Sequence, residues 1–91
     1  MKDSLFTRDY EHCAWCGKEN PQRHHVFGGK NRKNSDADGL WIPLCMEHHT
    51  GQNGVHHNIK MNLAIKRTAQ VLYERDHTRE AFIQRYGRNY L

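Results

Sequence analysis

Cys13-Ala14-Trp15-Cys16 and Cys45-Met46-Glu47-His48 are the stretches that decide how this chain folds. A C-x2-C pair can bring both thiolates to one tetrahedral ion, with Zn–S bonds of about 2.3 Å. The C-x2-H pair repeats that spacing, and the two pairs consume all three cysteines. An odd cysteine count argues against a disulfide framework, and a redox C-x-x-C needs a thioredoxin-like βαβ context that is not visible here. The pattern therefore reads as a closed Cys₃His structural zinc site. The plainer alternative is that Cys45 is a small buried apolar residue behind a strand.

The rest of the composition leaves two alternatives, a floppy chain or one held by such a staple. The chain has 91 residues, one domain's worth, and a formal charge of +4. Leu, Ile, Val and Phe make up less than a fifth of it, a range in which chains start to look disordered unless something else holds them. A structural metal supplies the missing stability, and it is expected to hold the N-terminal half more than the C-terminal third. The longest apolar stretch, Leu40 to Cys45, is far too short to span a membrane. The start, Met1-Lys2-Asp3-Ser4, runs into charged residues rather than an apolar leader core. A cytoplasmic location is the expectation.

Outward from the pairs, the chain reads as α+β in a single domain, 1–91, with a metal-bearing core at 12–58 and helices at 59–91. Gly17 gives the tight turn after Cys16. Val26 to Gly29 and Leu40 to Leu44 read as two short strands, joined by a polar loop from Lys30 to Asp38. A short helical turn is expected after Cys45, broken by Gly51 and Gly54. Ile59, Leu63, Ala64, Val71 and Leu72 recur near a 3.6 period, which predicts a helix. Asp76 or Thr78 can cap a second helix that buries Phe82, Ile83 and Tyr86 and ends at Gly87. Helical spacing alone explains these apolar and aromatic residues as core rather than as a cofactor box.

Positive charge gathers in residues 21–35, which carry Arg23, Lys30, Arg32 and Lys33 and no acid, and in the C-terminal third. A polyanion such as nucleic acid fits that balance, and so does ordinary solubilising charge. Eight histidines are the outlier. His24-His25, His49 and His56-His57 remain after zinc has taken His48. Any one of them alone is more simply a hydrogen-bonded or exposed histidine. Imidazoles from three separate segments, however, can converge on a second, open metal site and leave one free as a base.

Taken together, residues 12–58 resemble the HNH, or His-Me finger, nuclease superfamily. The stretches that carry the resemblance are Cys13-x2-Cys16, His24-His25-Val26-Phe27-Gly28-Gly29, Leu44-Cys45-x2-His48-His49 and Gly54-Val55-His56. The chain looks most like the small phage and prophage members, including recombination-enhancement nucleases. The resemblance implies a ββα-metal unit clasping one divalent ion, Mg²⁺, Mn²⁺, Ni²⁺ or Zn²⁺, and hydrolysis of DNA to 5′-phosphate and 3′-hydroxyl ends. It implies that His24 is a metal ligand, His25 the general base and His49 a further ligand. The last ligand falls on Asn53 or His56, and His56 is favoured because imidazole binds transition ions better than an amide does. The family's middle Asn has no counterpart, since Gly39-Leu40 stands there and Asn31 and Asn34 come too early. Another group then does its work, or the unit keeps its fold without its chemistry.

Arg32, Lys33, Lys66 and Arg67 are candidates for holding flanking phosphates, although each taken singly reads as a solvated surface charge. Asp36 and Asp38 read as turn residues. Neither Ser4 nor Ser35 lies in a nucleophile elbow, and Gly28-Gly29 is not a phosphate loop. The function expected is metal-dependent DNA cleavage. The alternatives are a non-catalytic zinc-knuckle module that binds nucleic acid or a phage packaging or recombination protein, and a second closed zinc site.

Overall fold

The computed structural model describes residues 2–91. The elements run β1 (Gln22–His25), a 3-10 turn (Gly29–Asn31), α1 (Arg32–Ala37), β2 (Trp41–Leu44), α2 (Met46–His49), α3 (Ile59–Tyr73) and α4 (Arg79–Tyr86). The two strands pair antiparallel, with Gln22 opposite Leu44, Arg23 opposite Pro43, His24 opposite Ile42 and His25 opposite Trp41. The fold is thus small α+β. Among the described residues no helix is long and apolar enough to cross a membrane.

The first strand lies earlier than the sequence suggests. It is the polar run Gln22–His25, not Val26 to Gly29, so the histidine doublet sits on the strand itself. Successive strand side chains point to opposite faces. His24 is therefore turned inward and buried, while Val26 and Phe27 enter the core just past the strand end. Pro43 is tolerated in β2 because its carbonyl, not an N–H, is the group needed: it accepts from Ala14 N at 2.9 Å and ties the knuckle to the sheet.

The segment expected as a polar loop is largely helical. α1 shows no apolar period because a single side chain, Ser35, is buried in it. Ser35 Oγ donates to the carbonyl of Leu40 and accepts from Phe27 N at 3.3 Å. These bonds fix α1 against the ends of both strands. At its C-terminal end Asp38 accepts from Arg85 Nε at 2.6 Å, Arg85 Nη2 at 3.1 Å and Tyr86 Oη at 2.5 Å, which braces α1 on α4. Asp38 is thus the turn residue the sequence suggests, just past α1, and also an anchor of that helix end. Gly39 follows with φ +73°, and an added Cβ there would run into the carbonyl of Asp3.

The helices of the last third form as the periodicity predicts, but on a different face. α3 buries Met61, Ile65, Ala69, Gln70 and Tyr73, while Ile59 and Val71 are exposed. In α4 Phe82 and Tyr86 are buried and Ile83 is exposed. Thr78, not Asp76, caps α4 by accepting from Ala81 N, and Gly87 closes it at φ +81°. One hydrophobic core joins both halves: Cys13, Val26, Phe27, Leu40 and Leu44 pack in the same cluster as Met61, Ile65, Phe82 and Tyr86. Phe27 touches the rings of Phe82, Tyr86 and Tyr90 at centroid distances of 5.7, 4.5 and 5.5 Å. The C-terminal helices therefore do not stand apart from residues 12–58.

Candidate metal centres

The knuckle is built by backbone bonds. Cys13 N donates to the carbonyl of Lys18 at 2.7 Å, Gly17 N to that of Cys13 at 2.8 Å, and Gly17 takes φ +82°. Cys45 follows β2 directly, and α2 carries His48 one turn on. The donor atoms of Cys13, Cys16, Cys45 and His48 lie within 4.8 Å of one another. Cys16 Sγ is 3.7 Å from Cys45 Sγ, and Cys45 Sγ is 3.2 Å from His48 Nδ1. Two thiolates at tetrahedral angles on one zinc stand about 3.8 Å apart, given the usual Zn–S length. The cluster fits a metal such as zinc. Burial pushes the Cys13 thiol up, but backbone N–H donors at Cys45, Cys16 and Trp15 outweigh it and bring it down to about 6, toward the thiolate a metal needs.

The second cluster comes from three elements. His24 projects from β1, His49 from the end of α2, and His56 from the loop before α3. Their ring centroids form a near-equilateral triangle, with separations of 5.2, 5.3 and 5.2 Å. Imidazoles holding one ion at about 2.0–2.1 Å and spread at tetrahedral angles put their centroids about 5 Å apart. The observed triangle matches that spread. His24 is pushed down to about 3, by burial first and then by the imidazoles of His49, His56 and His25. Burial also lowers His49, with His56 and His25 adding to it. Both shifts favour the neutral ring, which is the form that binds metal.

His56 reaches the cluster because the loop folds tightly over α2. Val55 N donates to the carbonyl of His48 at 2.8 Å. A Cβ at Gly54 would lie 2.7 Å from the carbonyl oxygen of Glu47 and 2.9 Å from that of His49, so only glycine fits. Asn53, the other candidate for the last ligand, instead donates to Glu47 Oε1 at 3.3 Å.

Gln22 supports the cluster, and no motif in the sequence marks it. Its Oε1 lies 2.8 Å from His49 Nδ1, which assigns the proton to Nδ1 and leaves Nε2 as the donor to an ion. Gln22→Ala is expected to weaken metal binding at the three histidines on the order of 10-fold and to leave the Cys₃His cluster loaded. Calorimetric titration of the zinc-loaded chain with Ni²⁺ reads this directly. An unchanged affinity would remove Gln22 from the site.

A cleft of about 420 Å³ opens over these rings, lined by Arg23, His24, His25, Gly28, Gly29, Arg32, His49 and His56. His25 Nδ1 stands 2.5 Å from Asp36 Oδ1. Asp36 is thus the partner of His25 and not a turn residue. Of the four basic candidates, Arg32 lines the cleft from the start of α1, while Lys33 is exposed on the same helix. Lys66 on α3 is lowered by burial and then by Arg88, and its charge is felt at His24. Arg67 Nε donates to the carbonyl of Tyr90 at 3.2 Å and so ties down the C-terminal tail. Arg23, absent from the sequence candidates, lines the cleft with its guanidinium 4.0 Å from the centre of the Trp41 ring. A larger open hollow of about 530 Å³ between Tyr10 and Pro21 contains neither cluster. No protein-family model, curated protein or solved structure matches the chain.

Proposed function

We propose that the chain is a metal-dependent endonuclease of the HNH type that hydrolyses DNA phosphodiester bonds, on a zinc-stapled ββα-metal unit of the phage or prophage kind. The observation that carries this reading is the triangle of His24, His49 and His56 with His25 beside it in one cleft. Zinc at Cys13, Cys16, Cys45 and His48 has a structural role, because four protein donors leave no open position. Three donors at the histidine cluster leave room for substrate oxygen.

In this reading His25 takes the proton of the attacking water through Nε2, since Nδ1 is engaged by Asp36. Arg32 and Arg23 line the cleft where they can meet phosphate oxygens and fix the strand. His24, His49 and His56 would hold a divalent ion, which when bound supplies Lewis-acid stabilisation of charge on the scissile phosphate and the departing oxygen. An all-imidazole set suits transition ions better than Mg²⁺, which prefers oxygen ligands.

The zinc-loaded chain is expected to nick supercoiled plasmid with Ni²⁺, Mn²⁺ or Zn²⁺ and more weakly with Mg²⁺, leaving 5′-phosphate ends that a ligase can reseal. Folded, zinc-loaded protein that leaves plasmid intact across the ion series would overturn the reading and favour a binding module.

A further inference from the structure

We propose that Asp36 is the positioning residue for His25, holding its ring as the Nδ1–H tautomer so that Nε2 is the nitrogen presented to the cleft. The proposal rests on the nuclease reading above for its consequence, but its geometry stands independently. A carboxylate only accepts, so the 2.5 Å contact between Asp36 Oδ1 and His25 Nδ1 requires the proton on Nδ1. Both side chains are three-quarters or more withdrawn from solvent, at 21% exposure for His25 and 25% for Asp36, so water competes weakly for the bond.

Asp36 can hold a ring because Asp36 is itself held. Its neighbour Ser35 is wholly buried and bonded to the ends of both strands, through the carbonyl of Leu40 and the N–H of Phe27. Leu40 N returns a bond to the carbonyl of Ser35 at 2.8 Å. Two residues on, Asp38 is locked to Arg85 and Tyr86 of α4. The one helical turn that carries Asp36 is therefore fixed at both ends, against β1 on one side and the C-terminal helix on the other. This arrangement gives the C-terminal helices a share in setting the base.

The chemistry follows from the tautomer. With Nδ1 protonated, the Nε2 lone pair takes a proton from water as that water's oxygen bonds to phosphorus. The ester oxygen leaves with the bonding electron pair and receives a proton from solvent. The Asp36 carboxylate then faces a cationic ring and stabilises it. With the opposite tautomer Nε2 carries a proton and cannot accept one.

The test reads the ring and the reaction separately. In ¹⁵N-labelled, zinc-loaded protein, two-bond ¹H–¹⁵N correlations are expected to show His25 as the Nδ1–H form. Asp36→Ala and Asp36→Asn are each expected to populate the Nε2–H form and to lower kcat by at least 10-fold, toward the ~10⁴-fold seen when an orienting Asp is replaced by Asn. KM and metal content should not move, and Asp36→Glu, which keeps the carboxylate, should restore the tautomer and part of kcat. A His25 ring that keeps its Nδ1 proton in both the Ala and Asn variants would overturn the proposal, as would a kcat within twofold of wild type. If wild type itself cleaves nothing, the nuclease reading has failed, and the tautomer measurement alone then decides whether Asp36 positions His25.

Discussion

His25→Ala is expected to lower DNA cleavage by about 10²- to 10⁴-fold, the range a general base contributes, while the protein stays folded and keeps its metals. His25 is not one of the three histidines in the triangle, and it is not a member of the buried apolar core. Its loss deprives Asp36 of its imidazole partner, but the Asp36 side chain is one-quarter exposed and stays in contact with water. Single-turnover cleavage with saturating enzyme separates this chemical step from DNA binding. A variant that cuts within a fewfold of wild type would move the base to another group.

Removal of a metal from the Cys₃His cluster is expected to have the larger effect on the fold. A structural zinc contributes on the order of 10 kcal/mol in small finger domains, about the whole stability of an ordinary domain. In this chain the site joins the knuckle, the end of β2 and α2, and Cys13 and Cys45 are themselves core residues. The sequence alone suggests that chelation would melt the N-terminal half first. The packing argues for one transition instead, because Phe27 and Leu40 share a core with Phe82 and Tyr86. Exhaustive chelation, or Cys45→Ala, is expected to abolish the near-UV aromatic signal and the α3–α4 helical signal together. Unchanged circular dichroism and thermal melting after chelation would refute the staple.

Much of the site was legible because ligand chemistry is written in residue type. The Cys13–Cys16 and Cys45–His48 pairs meet in one cluster, and one histidine from each of the three histidine segments, His24, His49 and His56, meets in another. What was hidden lay in polar segments with no periodic signal. β1 is Gln22-Arg23-His24-His25, which offers no apolar alternation, and α1 buries Ser35 alone. Tertiary contacts make these elements, so propensity could not find them. In α3 apolar residues lie on several faces, and Met61, Ile65, Ala69 and Tyr73 were chosen for burial over Ile59 and Val71 by what packs against them. Asp36 and Gln22 carry no motif at all. Their roles come from the register of β1 and from the helical turn that follows it, and both hold a ring nitrogen of a histidine named from sequence.

On the proposed reading, cleavage depends on an ion held by the histidine triangle. The measurement that tests it most directly is a paired metal count and plasmid-nicking assay on wild type, His49→Ala and His56→Ala. Wild type is expected to bind two metals per chain by native mass spectrometry and to nick plasmid. Each variant should retain one metal and the folded state and should lose cleavage. Variants that still cut with one metal, or wild type that binds one metal and cuts, would contradict the account.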